Sequence, residues 1–461
     1  KRLLDHLASA NRDANPELLR LGLTLPGFVE RSKQIAALPR LGLLNLAAAT
    51  PAGHELVYCE ASEDRDEPEL LYDCDLVAIS TFSAQIFEAY SIADRLRAAG
   101  VLVAMGGLHV SSLPDEAAQH ADFVAVGEGE HVWPRIVRAA ERGERTGIVR
   151  AADCGSVDIA ALAEPRYDLL GARPYNRFTV QTSRGCPWRC EFCASTVMLT
   201  QRYRKRPVAD VVRDIHAIRR VRPNAFIEFA DDNTFVDKAW SKELCRALIP
   251  LGIKWFTETD ISVADDPELL ELIARSGCRQ LLIGLESPEA SALEGLELRT
   301  NFKARRAHDY AEAIGRIQSA GVTVNGCFIL GLDTHGPDVF ERVLDFAEET
   351  HLFEVQITYL TAFPGTPLYT RLLAEGRVLQ PGRWELCTLF DVNYRPARMT
   401  PDELRTGFRA LSTKLYSAER MERRRAGFFE QLRERKRATV WRAAPGHVAP
   451  RMQSPSASLP A

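Results

Sequence analysis

Three cysteines stand within eight positions of the stretch SRGCPWRCEFCAS (183–195): Cys186, Cys190 and Cys193, spaced C-x3-C-x2-C with no fourth close behind. Thiolates at that density bind a metal ion, run dithiol–disulfide chemistry, or hold an iron–sulfur cluster. Structural zinc takes four protein ligands, and here the fourth would have to be His216, Cys245 or a more distant residue. Cys190 and Cys193 form a C-x2-C pair, but the thioredoxin type of that motif precedes a helix in a different fold. Three thiolates can instead ligate three irons of a 4Fe–4S cluster, leaving the fourth iron open to a chelating small molecule.

Which chemistry applies depends on what positions the trio. It follows the first of six apolar, strand-like runs: FTVQTS (178–183), AFIEFAD (225–231), KWFTETD (254–260), RQLLIGLES (279–287), VTVNGCFILG (322–331) and EVQITYLTAF (354–363). Helical patterns lie between them, at 208–221, 267–277 and 304–320. Repeated strand–helix units predict a parallel sheet with right-handed crossovers. Six units fall short of a closed eight-fold barrel, so an open (β/α)6 barrel is expected, with its site at the C-terminal strand ends. Those ends carry Asp231, Asp232, Thr257, Glu258, Glu286, Ser287, Gly331 and Asp333. A zinc knuckle has no need of such a rim, and the placement favours iron–sulfur.

Upstream, DLVAIS (75–80), VLVAM (101–105) and ADFVAVG (121–127) are continuous apolar runs, as in strands buried on both faces. Ile86, Phe87, Tyr90, Ala93 and Leu96 follow a helical period that stops at Gly100. A doubly wound, Rossmann-like α/β domain is therefore expected over 1–155, with its ligand crevice at the strand ends. Those ends bring Ser80, Thr81, Gly106, Gly107, Gly127 and Glu128 together, small residues that let a backbone approach a bulky ligand. Tight βα turns would explain the same residues. The barrel is expected over 156–375, a helical region over 376–440, and a disordered tail over 441–461.

Net charge is −4, from 58 basic and 62 acidic residues, which gives no support for a nucleic-acid partner. No apolar run approaches the roughly 20 residues that span a bilayer, and no signal-peptide pattern is visible at the start. The other seven cysteines are scattered singly, as in a protein of the reducing cytoplasm. There is no GxxxxGK phosphate loop and no convincing Ser–His–Asp set.

The C-x3-C-x2-C motif, with Phe192 before its last cysteine, resembles the radical-SAM superfamily. The resemblance implies that the open iron binds S-adenosylmethionine, whose reductive cleavage yields a 5′-deoxyadenosyl radical. The electron would come from a one-electron reductant such as flavodoxin or ferredoxin. It implies a methionine-amino contact within FADDN (229–233), where the usual GGE is missing and Asp231 and Asp232 are acidic stand-ins, Asp232 the preferred one. Glu258, Glu286 and GCFILG (326–331) would lie at ribose and methionine contacts, and AFPGTP (362–367) at the adenine side.

The runs LGLLNLAAATP, ISTFSAQIFEAYSIADRLRAAGVLVAMGGLHVSSLPDEA and ADFVAVGEGEHVWPRIV resemble the cobalamin-binding domain of class B radical-SAM enzymes. Over residues 39–375 the chain is most like the hopanoid C-2 methylases and the anaerobic magnesium-protoporphyrin cyclase group. The implied function is a cobalamin-dependent C-methyltransferase acting on an unactivated carbon of a lipid, tetrapyrrole or natural product. The alternative is a radical cyclase, rearrangement or oxidation enzyme without net methyl transfer, with or without cobalamin. A lipid substrate would put this cytoplasmic enzyme at the membrane periphery. The cobalt-ligating D-x-H-x-x-G motif is missing; His109 stands in a different context. Cys327 in the fifth strand is either a hydrogen-atom donor or an inert core thiol.

Overall fold

The computed structural model describes residues 2–6, 38–61, 69–145, 147–173, 175–195 and 202–443. The first sheet has six parallel strands: β1 (Arg2–His6), β2 (Val57–Ala61), β3 (Leu76–Ser80), β4 (Leu102–Gly106), β5 (Phe123–Val126) and β6 (Gly147–Arg150). Their order is β2-β1-β3-β4-β5-β6. The three expected strands are all present, and β1, β2 and β6 extend the sheet beyond them.

Successive side chains of a strand face opposite ways, and here each face meets a helix layer. Ala78, Ala104 and Phe123 pack with α1 (Leu41–Ala49) and α3 (Gly129–Glu141). Val77, Ile79, Val103 and Met105 pack with α2 (Ile86–Ala98). The α1/α3 core runs without a break into the barrel, through Tyr167, Leu170, Phe178 and Val180.

The barrel opens with β7 (Phe178–Val180), followed by a short antiparallel pair, β8 (Ser183–Arg184) and β9 (Arg204–Lys205). Then come β10 (Phe226–Phe229), β11 (Lys254–Thr259), β12 (Cys278–Glu286), β13 (Thr323–Leu330) and β14 (Glu354–Tyr359). The order β14-β13-β12-β11-β10-β7 is fully parallel and does not close, as the six-unit count predicted. Helix α4 (Val208–Val221) buries Val211, Ile215 and Ile218, one helical stripe. Helices α5 (Lys238–Leu248) and α6 (Pro267–Arg275) start where Asp237 and Asp266 accept the backbone N–H of Trp240 and Leu269, a standard cap.

Two expected helices differ. The 304–320 segment divides into Phe302–Arg306, a 3-10 turn and Tyr310–Ser319. Its two halves deliver Lys303 and Tyr310 separately to the end of β12. Residues 376–400 hold no α-helix, only a 3-10 turn at Trp384–Leu386: Gly376 and Gly382 take left-handed backbone, and Pro381 and Pro396 break any longer helix there. Helix resumes at Pro401–Leu415, with a capping box between Thr400 and Glu403, and continues in Ala418–Ala443. Of the expected disordered tail, 444–461 lie outside the described residues. Among the described residues no helix is long and apolar enough to cross a membrane.

Candidate functional site

The loop bearing the trio is tied down from both sides. Asp231, just past β10, accepts the backbone N–H of Thr182 (2.8 Å) and Ser183 (3.0 Å) and the Thr234 hydroxyl (2.9 Å). Burial lifts its carboxyl above the usual range even against these donors. Asp231 is thus consumed in joining β10 to β8. Asp232, the next residue, turns the other way and lines the cavity. It accepts the Gly185 N–H at 2.8 Å, directly before Cys186, and the Ser195 hydroxyl.

From the opposite side Glu297, 2% exposed, collects N–H groups from Arg189 (3.1 Å), Arg299 (3.0 Å) and Thr300 (2.7 Å). Burial would raise its carboxyl, but these donors hold it down to about 2. Cys190 pairs with Glu297 as an isolated antiparallel bridge. Trp188 stacks on Phe302 with centroids 3.9 Å apart and donates to Asp260 Oδ2 at 2.8 Å.

Cys186, Cys190 and Cys193 open onto one cavity of about 660 Å³, together with Phe192, Asp232, Glu258, Glu286 and Cys327. Phe82, Gln85 and Leu108 reach it from the first domain, and Thr388 and Leu389 from the C-terminal region. Burial pushes the Cys186 thiol up to about 11, and the Cys190 thiol is raised too. Among the described residues no three His, Cys, Asp or Glu side chains converge on a single metal position. His216 is exposed on α4 and Cys245 is on the buried face of α5; neither lines the cavity. Three thiols on one cavity, with neither candidate fourth ligand beside them, suit three irons of a cluster better than a four-ligand zinc ion.

Two acids differ in state. Glu258 is an exposed residue of the cavity lining, with protein atoms crowded around that cavity. Burial, with the charges of Glu228, Asp232 and Asp231, pushes it up to about 7. Glu286 has left-handed backbone (φ 64°) where the β12–β13 register shifts. Its carboxylate meets Lys303 Nζ at 2.7 Å, and the same ammonium donates to the Gly284 carbonyl at 2.8 Å. A Cβ at Gly284 would come within 2.5 Å of Glu286 Oε1. Burial lowers the Lys303 ammonium, but the charges of Glu286 and Cys190 outweigh it and hold it above the usual range.

A second cavity, of about 340 Å³, lies at the strand ends of the first sheet. Ser80, Gly106, Gly107, Gly127 and Glu128 line it, as expected; Leu46, Trp133 and Ile136 form an apolar floor, and Gln181, Arg184, Ser195 and Asp232 close the barrel side. Gly107 has φ 104°, and a Cβ there would stand 3.0 Å from Ser80 Oγ, so only glycine fits without strain. Thr81 is buried behind the lining with its hydroxyl unpaired. The Glu128 carboxylate is committed to two arginines of the barrel, Arg184 (2.7 Å) and Arg204. Burial raises it, but those two pairs hold it below the usual range. Arg184 also grips Glu130 at 2.6 Å. His109 is fully buried, with its ring nitrogens 3.0 Å from Ser83 Oγ and 3.3 Å from Glu116 Oε1, and it lines neither cavity.

The sequence singles out Glu128 but not its partners Arg184 and Arg204, nor Glu297, Lys303 or Asn233. Asn233 stood inside the FADDN stretch; the others depend on contacts between residues far apart in the chain.

The fold and site together define a two-domain α/β enzyme whose open parallel barrel presents three thiols to a cavity shared with a Rossmann-like domain. Residues 180–347 match the radical SAM superfamily, residues 36–137 a B12-binding domain, and residues 366–454 a domain of unknown function. An uncharacterized methyltransferase of a Synechocystis species is 31% identical over 373 residues, 79% of this chain and 68% of that protein. The bacteriochlorophyllide d C-12(1)-methyltransferase of Chlorobaculum tepidum is 25% identical over 84% of each chain. Among solved structures, the radical S-adenosylmethionine methyltransferase TsrM of Kitasatospora setae, with cobalamin and a [4Fe-4S] cluster bound, has the same fold. It superposes with a TM-score of 0.64 over 95% of this chain and 99% of that one, at 16% identity. The chain belongs to the radical SAM superfamily, among its members with an N-terminal B12-binding domain. The cofactors of those domains are a 4Fe–4S cluster, S-adenosylmethionine and cobalamin.

Proposed function

We propose that the chain is a cobalamin-dependent radical-SAM C-methyltransferase, with Cys186, Cys190 and Cys193 as the cluster ligands. The observation that carries this is the opening of all three thiols onto one cavity, walled in part by the B12-binding domain. When bound, the cluster with S-adenosylmethionine supplies a 5′-deoxyadenosyl radical, and cobalamin supplies a transferable methyl group. Asp232, Glu258 and Glu286 line the space for S-adenosylmethionine, Phe192 shields it, and Lys303 neutralises Glu286. Ser80, Gly106, Gly107 and Gly127 rim the cobalamin cavity, and Glu128 locks it to the barrel.

Phe82, Leu108, Ile329, Leu360 and Leu389 give the larger cavity an apolar wall, which favours a small molecule with an apolar body: a lipid, tetrapyrrole or natural product. The name of the Chlorobaculum relative supports the tetrapyrrole class. We assign 1–155 to cobalamin, 156–375 to the barrel, and 376–440 to capping it; Thr388 and Leu389 supply the cap's contacts. A one-electron reductant such as flavodoxin or ferredoxin completes the system.

The test is anaerobic turnover of the reconstituted protein with S-adenosylmethionine, a reductant and candidate substrates. Formation of both 5′-deoxyadenosine and S-adenosylhomocysteine, lost on changing the three cysteines to Ala, is the expected result. Reductive cleavage that survives the triple change would overturn the ligand assignment. 5′-Deoxyadenosine without S-adenosylhomocysteine, on every substrate that supports turnover, would favour cyclisation, rearrangement or oxidation.

A further inference from the structure

Asn233 follows Asp232 in the loop after β10 and is 1% exposed. Its amide nitrogen lies 3.7 Å from Cys186 Sγ and 2.8 Å from Asp260 Oδ2. The orientation of that amide is determined by its other end. Asn233 Oδ1 accepts the backbone N–H of Asp260 (3.3 Å) and the Thr259 hydroxyl (3.1 Å). A backbone N–H can only donate, so the amide oxygen must face it, and both amide hydrogens turn to the sulfur and the carboxylate. Asp260 is itself fixed, by the Ser262 N–H at 2.8 Å and the Trp188 indole at 2.8 Å. The N–H aimed at Cys186 therefore cannot swing away.

Resting on the assignment of Cys186 as a cluster ligand, we propose that Asn233 is a positioning residue that makes the cluster easier to reduce, through an N–H held on the Cys186 sulfur. An N–H on a ligand sulfur stabilises negative charge there, and reduction adds negative charge. The interaction therefore strengthens in the reduced state and raises the reduction potential. Water exclusion around the pair strengthens it further. One electron enters from an external one-electron reductant, and no bond to Asn233 forms or breaks.

The test uses the full chain with its cluster reconstituted, titrated with dithionite and followed by the electron paramagnetic resonance of the reduced cluster. Asn233→Asp keeps the shape and the acceptor but loses the donor. Asn233→Ser loses the donor without adding charge and is too short to reach Cys186. Both variants should keep about four irons per chain. At fixed poise Asn233→Asp should lower the ratio of reduced to oxidised cluster about tenfold, or about 59 mV for one electron. Asn233→Ser should shift it the same way, and it decides alone if Asn233→Asp does not hold iron. Unmoved potentials with the cluster intact, or a shift in Asn233→Asp only, would overturn the role of the N–H. A parent protein that binds no cluster would instead overturn the reading of the cysteine site, so the two failures are distinguishable.

Discussion

Changing Arg184 to Met should destabilise the folded protein by about 3 kcal/mol, the low end of the range for removing one partner of a buried ion pair. Arg184 sits one residue before the loop of the cysteine trio and joins the barrel to the B12-binding domain. Its side chain is 13% exposed, and its partners Glu128 and Glu130 are 15% and 10% exposed. Methionine keeps most of the packed stem but leaves the Glu130 carboxylate without a counter-ion among the described residues. Glu128 retains Arg204, which keeps the loss at the lower end. The assay is urea unfolding followed by tryptophan fluorescence at pH 7, in parallel with the cobalamin retained after desalting. Glu130→Gln in the Arg184→Met background should recover at least about 1 kcal/mol, since it removes the orphaned charge. The pH dependence has a definite sign. Glu128 has a lowered carboxyl in the folded state, so its stabilisation is present above the unfolded carboxylate range near 4.3. That stabilisation is lost as the pH falls through the folded value, and the gap between variant and parent should narrow toward pH 3. A variant within about 0.5 kcal/mol of the parent at pH 7, the ordinary scatter of surface changes, would refute the clamp.

Glu258→Gln should be more stable than the parent at pH 8 and equal to it at pH 4. A carboxyl raised to about 7 resists ionisation in the folded state, so the parent loses stability as the pH rises from the unfolded value through 7; parallel melts at both pH values check this. Gly107→Val forces a β-branched residue into a positive-φ, extended backbone (φ 104°, ψ −171°) that only glycine adopts readily, at a cost of about 1–3 kcal/mol, and fills the rim beside Ser80. Retained cobalamin should fall well below the parent with iron content unchanged, as measured by absorbance and metal analysis on one sample. Changing Cys59, Cys74 or Cys154 to Ala should leave iron content unaltered, because none of them lines the larger cavity.

The barrel was legible because each of its strands is a short apolar run ending in polar or small residues, and strand-end position alone brought Asp232, Glu258 and Glu286 to one cavity. Adjacent acids were harder to separate. Asp231 and Asp232 look alike in sequence, and only the turn of the chain after β10 sends one into the β8 junction and the other into the cavity. The strand β6, Gly147–Arg150, is a short edge strand without an apolar run, so the signal that found β3 and β4 was absent there. The 376–400 stretch falls inside the expected helical region 376–440, although its glycines and prolines argue against a helix there. Nothing in its local sequence sets Glu297 apart; its role follows from contact with Arg189, 108 positions earlier. Likewise Lys303 acquires a function only through Glu286, 17 positions away. Side-chain networks of this kind leave no local pattern to read.

The central claim, a three-cysteine cluster beside a cobalamin site in one chain, is tested most directly by counting both cofactors. The protein would be expressed with excess iron and cobalamin, purified without oxygen, and assayed for iron, sulfide and extracted cobalamin. The account predicts about four irons and about one cobalamin per chain, with the iron lost and the cobalamin kept when Cys186, Cys190 and Cys193 are changed to Ala. A single tightly bound zinc, or four irons with no cobalamin under these conditions, would contradict it.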